Sequence, residues 1–242
     1  MPNAKEELFD TSRGLPVPWT LTGLSALVGI LFPICIALVF FYAPLEKEMG
    51  YVQKIFYFHV PAAWIMLISA PVMAYSSIAF LWRRTDNWDR LNDAAVELAI
   101  LFGVLVLISG PLWGRKAWGV YWVWDVRLTS SLVLVLTLVA CKIVRAYAGP
   151  SAKQISAGLS VLAVCNAVFV YVSVDIWRGT HPEKVVNKSG GLAPGMRLAF
   201  WMCVLTFILG YVVMLWTRVR AGKLRTALDR LHMKAIEAGL ED

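Results

Sequence analysis

Apolar residues in this chain come in long runs separated by short polar segments. Six stretches, residues 21–43, 57–82, 94–112, 128–147, 155–177 and 198–217, are almost continuously hydrophobic, and most charged residues fall between them. A helix needs about 20 mostly apolar residues to cross the hydrocarbon core of a bilayer. The pattern predicts an all-α integral membrane protein, six transmembrane helices forming a single membrane domain over residues 1–242. The first run does not read as a cleaved signal peptide. Its leader carries Glu6, Glu7 and Asp10, and Pro44 follows where a small-residue cleavage site would be needed.

Composition strengthens this reading. The 242 residues are 59% hydrophobic and 16% charged, whereas soluble domains carry roughly 25% charged residues. The net charge of +7 raises nucleic acid as a partner, but the basic residues are dispersed between apolar runs and form no single patch. Cys35, Cys141, Cys165 and Cys203 lie in or beside apolar runs. No C-x-x-C occurs, which excludes a paired zinc site, a thioredoxin-type motif and covalent c-type haem on this chain.

Charge also orients the spans. Six crossings put both termini on one side, and that side receives 14 Lys and Arg residues against 9 on the other. The excess predicts cytoplasmic termini. The basic run Arg218 to Arg225, directly after the last span, weighs most. The connections after spans 1, 3 and 5 then emerge on the outer face.

The middle of these connections, residues 113–127, is unusual. Trp113 to Asp125 reads WGRKAWGVYWVWD, four of the chain's 11 tryptophans in a short link. Trp and Tyr favour the membrane interface, which accounts for scattered residues such as Trp19, Trp82, Trp177 and Trp216. Anchoring needs only one or two, so the concentration points to a platform for a flat, apolar ligand. Each buried aromatic ring removes about 150–250 Å² from water, and Gly114 and Gly119 allow a ring to approach the backbone. In an extended chain Trp118, Trp122 and Trp124 share one face; in a helix Trp118 and Trp122 are neighbours and Trp124 turns away.

Two of the three histidines fall in the flanking outer segments. His59 precedes Pro61, a residue suited to a first helical turn, so the second helix is expected to begin near it with His59 at the interface. His181 lies in the third outer connection beside Pro182; His232 is in the cytoplasmic tail. Aromatic walls, imidazoles for iron and cations for propionates describe a haem site. Arg115, Lys116 and Arg127 flank the platform, and Arg178 and Lys184 flank His181. Asp125 also suits the N-cap of the fourth helix, and Glu97 suits a dipole-compensating acid at the start of the third.

The run W-G-x-x-x-W-G-x-x-W-x-W-D-x-R-L-T, Trp113 to Thr129, resembles the "WWD" signature of haem-handling membrane proteins. Across its length, six spans and flanking histidines the chain most resembles the haem exporter protein C (CcmC-type) family of bacterial cytochrome c maturation. The resemblance implies a non-enzymatic carrier of non-covalent haem b (iron protoporphyrin IX) in the bacterial inner membrane. It implies His59 and His181 as axial ligands, and Trp113, Trp118, Trp122, Trp124 and Asp125 as the haem-holding signature. Its implied partners are a membrane-tethered haem chaperone, separate ATPase and permease chains of an ABC transporter, and a small membrane subunit. No G-x-x-x-x-G-K-[ST] loop is present, so the chain does not supply ATP hydrolysis itself. A haem-free structural subunit of the transporter and a haem–apocytochrome ligase are the alternatives.

Overall fold

A computed structural model describes residues 16–177, 186 and 191–237, with the side chains of residues 174 and 175 excepted. The described residues are helical almost throughout. In chain order the helices are α1 (Trp19–Ala37), α2 (Phe56–Arg83), α3 (Asp86–Trp118), α4 (Val126–Tyr147), α5 (Ala152–Ile176) and α6 (Pro194–Glu237). Six helical segments are long and apolar enough to cross a membrane, as the hydrophobic runs predict.

Several helices outrun their apolar stretches. With a rise of about 1.5 Å per residue, α3 is roughly 50 Å long and α6 roughly 66 Å, against a hydrocarbon core of about 30 Å. Pro111 stands at the edge of the third run without ending its helix, and the polar flanks stay helical. What ends α3 is Gly119, at φ 77° and ψ −4°, the left-handed C-cap that glycine adopts without strain. Asp125 begins α4: its Oδ1 accepts the Leu128 amide at 2.7 Å, the capping role its position predicts.

The link from α1 to α2 is tightly built. Directly after α1, Leu38–Tyr42 widens to a π-helical turn closed by the Ala43 amide on the Leu38 carbonyl at 2.8 Å. Ala43 is then extended, the conformation favoured before Pro44. Lys54 is buried, and its ammonium donates to the Ala43 carbonyl at 2.5 Å. A lysine that counts from sequence as a surface charge thus caps the carbonyl end of a helix.

Two apolar clusters form the core. The larger joins α2, α3, α4, α5 and α6 through Met66, Met73, Phe102, Leu134, Leu138, Ala163 and Tyr211. The smaller ties α1 to α2 and α6 through Cys35, Val39, Tyr57, Phe200 and Cys203. Small residues line the contacts, the usual way to bring membrane helices close. At Gly103 a Cβ would lie 2.6 Å from Val135 Cγ2, so α3 and α4 meet there backbone to side chain. By contrast α1 carries the exposed apolar residues Leu27, Ile30, Phe32 and Ile34, a surface that suits acyl chains.

At the end of the bundle remote from the tryptophans, Asp86, Asp89, Asp93 and Glu97 run down one side of α3. Lys142 and Arg145 of α4, Lys153 of α5 and Arg218 of α6 pair with this row. Buried Asp89 receives both terminal nitrogens of Arg145 at 2.6 and 2.8 Å. Beneath it, Ser77 donates to Asn92 Oδ1 at 2.9 Å and Asn92 donates to Ser160 Oγ at 3.1 Å, joining α2, α3 and α5. Glu97, expected only to offset the helix dipole, has a partner from 121 positions later in Arg218.

Candidate functional site

The tryptophan segment is neither wholly helical nor wholly extended. Trp113–Trp118 forms the final turns of α3, the chain reverses at Gly119, and residues 120–125 run without regular structure to α4. The four indoles therefore divide into two pairs. Trp113 and Trp118 meet edge to face, centroids 5.6 Å apart at 84°; Trp122 and Trp124 do the same at 5.6 Å and 75°. Edge-to-face contact is the geometry aromatic quadrupoles prefer.

Gly114 explains how the first pair fits. A Cβ at this position would lie 2.9 Å from two atoms of the Trp118 ring. The ring that glycine admits is thus Trp118 itself, folded back one turn over the helix. In the second pair, Trp124 is 75% exposed, an area large enough to cover a partner surface. Trp122 differs: its Nε1 is buried with no acceptor among the described residues. A buried indole N–H normally finds a partner, so this donor suits a ligand with an acceptor group.

The basic residues that flank the segment have distinct settings. Arg115 donates from Nη1 to the Gly119 carbonyl and stacks on Tyr121, its guanidinium 5.7 Å from the ring centroid. It braces the turn while retaining further donors in its five-donor fork. Lys116 is exposed, and Arg127 stands in the first turn of α4.

His59 comes to the same end of the bundle. Its helix starts earlier than Pro61 suggests: a 3-10 turn at Tyr51–Ile55 leads straight into α2 at Phe56. The proline stands within the helix, because the preceding turn already supplies the nucleus that a first-turn proline would have marked. His59 therefore sits inside the first turn and packs on α3. Its Nδ1 lies 2.8 Å from Ser109 Oγ. Ser109 is one helical turn before Trp113, so the imidazole stands about 6 Å along α3 from the first tryptophan's position. His181, Arg178 and Lys184 lie outside the described residues.

Aromatic surface, an imidazole, an indole N–H with no acceptor among the described residues and cationic side chains converge at one end of α2, α3 and α4. A separate cleft of about 540 Å³ opens between α3 and α6, lined by Leu101, Val104 and Met214 with Glu97 and Arg218 at its polar edge. Its α3 lining lies about two and a half to four and a half helical turns before Trp113, and it holds no aromatic residue or imidazole.

Comparison with known proteins agrees with the signature. The family model described as heme exporter protein C matches residues 3–234. A heme exporter protein C of Bradyrhizobium diazoefficiens is 33% identical over 195 residues, covering 79% of this chain and 74% of the relative. One from Rhodobacter capsulatus is 28% identical over 238 residues, 95% and 93% of the two chains. A cytochrome c biosynthesis ccmC-like mitochondrial protein of Marchantia polymorpha is 31% identical over 177 residues, 71% and 69% of the two.

Proposed function

The chain belongs to the heme exporter protein C family, and from that premise we propose that it holds haem at the tryptophan end of the bundle and hands it to a partner. The haem is cargo, bound non-covalently as haem b. His59 and His181 are its axial ligands. Trp113, Trp118, Trp122 and Trp124 are its walls, with Gly114 and Gly119 shaping the turn and Asp125 and Arg127 ordering the start of α4. The recipient is a membrane-tethered haem chaperone. Separate ABC transporter chains and a small membrane subunit complete the assembly in the bacterial inner membrane, with the tryptophan end on the periplasmic side.

The observation that carries this reading is the contact of His59 with Ser109, one turn before Trp113. It brings an imidazole from the first turn of α2 close to the aromatic segment that ends α3. The chemistry asked of these groups is retention and release. Neutral imidazoles hold iron without adding charge, and ligands drawn from separate segments of the chain can part when an acceptor approaches. Indole faces exclude water from the porphyrin, and the buried Trp122 N–H together with Arg115, Lys116 and Arg127 suit its anionic propionates. On this reading the protein is a haem-handling carrier that delivers its cargo to the chaperone.

Replacing Trp118 and Trp122 together with Ala tests the platform. The double variant is expected to insert into membranes at the native level while binding haem about 5-fold to 100-fold more weakly, since two lost stacking contacts cost roughly 1–3 kcal/mol. Haem content per purified protein is the measurement. Native haem content in that variant would reduce the segment to an interfacial anchor.

A further inference from the structure

We infer that Ser109 is a positioning residue for His59, one that sets which ring nitrogen faces the iron. The inference rests on His59 being an iron ligand. Ser109 Oγ has two neighbours, His59 Nδ1 at 2.8 Å and the Leu105 carbonyl at 2.5 Å. A hydroxyl has one proton to give and two lone pairs to offer. The Leu105 carbonyl can only accept, so the proton goes there. Ser109 therefore accepts at Nδ1, and Nδ1 carries the ring proton. A neutral imidazole has one N–H, which leaves the coordinating lone pair on Nε2.

Ser109 thus acts through the ring, as outer-shell partners of metal-bound histidines do: the bond fixes the tautomer, fixes the ring's rotation and makes the ligating nitrogen more basic. The next residue of α3 supports the seat. A Cβ at Gly110 would lie 3.4 Å from His59 Cε1, so the imidazole rests directly against the α3 backbone there. One position bonds the ring and its neighbour stays small enough to receive it. Ser109 also joins the ligand rigidly to α3, whose final turns are Trp113–Trp118, so metal and ring contacts share one support.

Two measurements on the full-length protein test this. Histidine ¹⁵N spectra of the haem-free protein should show His59 protonated at Nδ1, and Ser109→Ala should abolish that single-tautomer signal. With haem bound, Ser109→Ala should lower affinity by about 10–100-fold, the usual loss for an outer-shell partner. It should also raise the reduction potential, because a less basic imidazole stabilises ferric iron less. Ser109→Thr, which can keep both bonds, should behave as native. Ser109→Val, equal to Thr in shape but lacking the hydroxyl, should match Ala. Thr and Val variants that behave alike would overturn the proposal. His59→Ala separates the two ideas: if it alters the haem spectrum while Ser109→Ala leaves tautomer, affinity and potential native, Ser109 is idle and the ligand stands. An unaltered spectrum in His59→Ala removes the ligand and the role of Ser109 with it.

Discussion

Gly114 carries the sharpest constraint at the tryptophan end. Its missing Cβ leaves the space that the Trp118 ring occupies, and the overlap distance of 2.9 Å cannot be relieved by a small shift of a rigid indole. Gly114→Ala is therefore expected to expel Trp118 from its edge-to-face contact with Trp113 and to reduce bound haem several-fold. Alanine otherwise favours the helix by about 1 kcal/mol over glycine. Helicity by circular dichroism should hold or rise while tryptophan emission shifts; an unshifted emission with native haem content would contradict this. The residues around it were unequally legible. The aromatic concentration and the Asp125 cap follow from residue type and spacing alone. Ser109 does not stand out, because one hydroxyl inside the apolar run ILFGVLVLISGPL looks like an ordinary small residue until its partner, 50 positions earlier, is seen. Lys54, in the link between α1 and α2, gives no such signal either, because its burial depends on where the Ala43 carbonyl falls.

The apolar runs locate the six long helices among the described residues, but not where those helices stop. A hydrophobic run records the thickness of the bilayer, whereas a helix ends where its backbone is capped. In α3 the two differ at both ends. On one side the helix starts at Asp86, eight residues before the apolar run, and on the other it continues to Trp118. The extension at its start is held by charge pairs from three other helices, and such long-range partners leave no trace in local pattern. Asp89 is the centre of that row, 3% exposed and bonded twice to Arg145. Removing one member of a buried pair leaves the other charge stranded, a loss of about 3–5 kcal/mol. Asp89→Ala should accordingly lower the thermal midpoint in detergent markedly, and Asp89→Leu with Arg145→Met should recover much of it. A double variant no more stable than the single would show that the row acts otherwise.

Across the whole molecule, the fold sorts chemistry to opposite ends. The charge pairs bind α3, α4, α5 and α6 at one end, and the aromatic segment with His59 occupies the other. A rigid base and an open aromatic rim suit a carrier that must hold its cargo and surrender it. The account stands on imidazoles from positions 59 and 181 meeting on one iron at that rim. Electron paramagnetic resonance of the ferric haem in the purified full-length chain tests this most directly. The native protein should give a low-spin signal from two imidazoles, and His59→Ala and His181→Ala should each convert it to a high-spin or altered-ligand signal. A native signal unchanged in both variants would contradict the account.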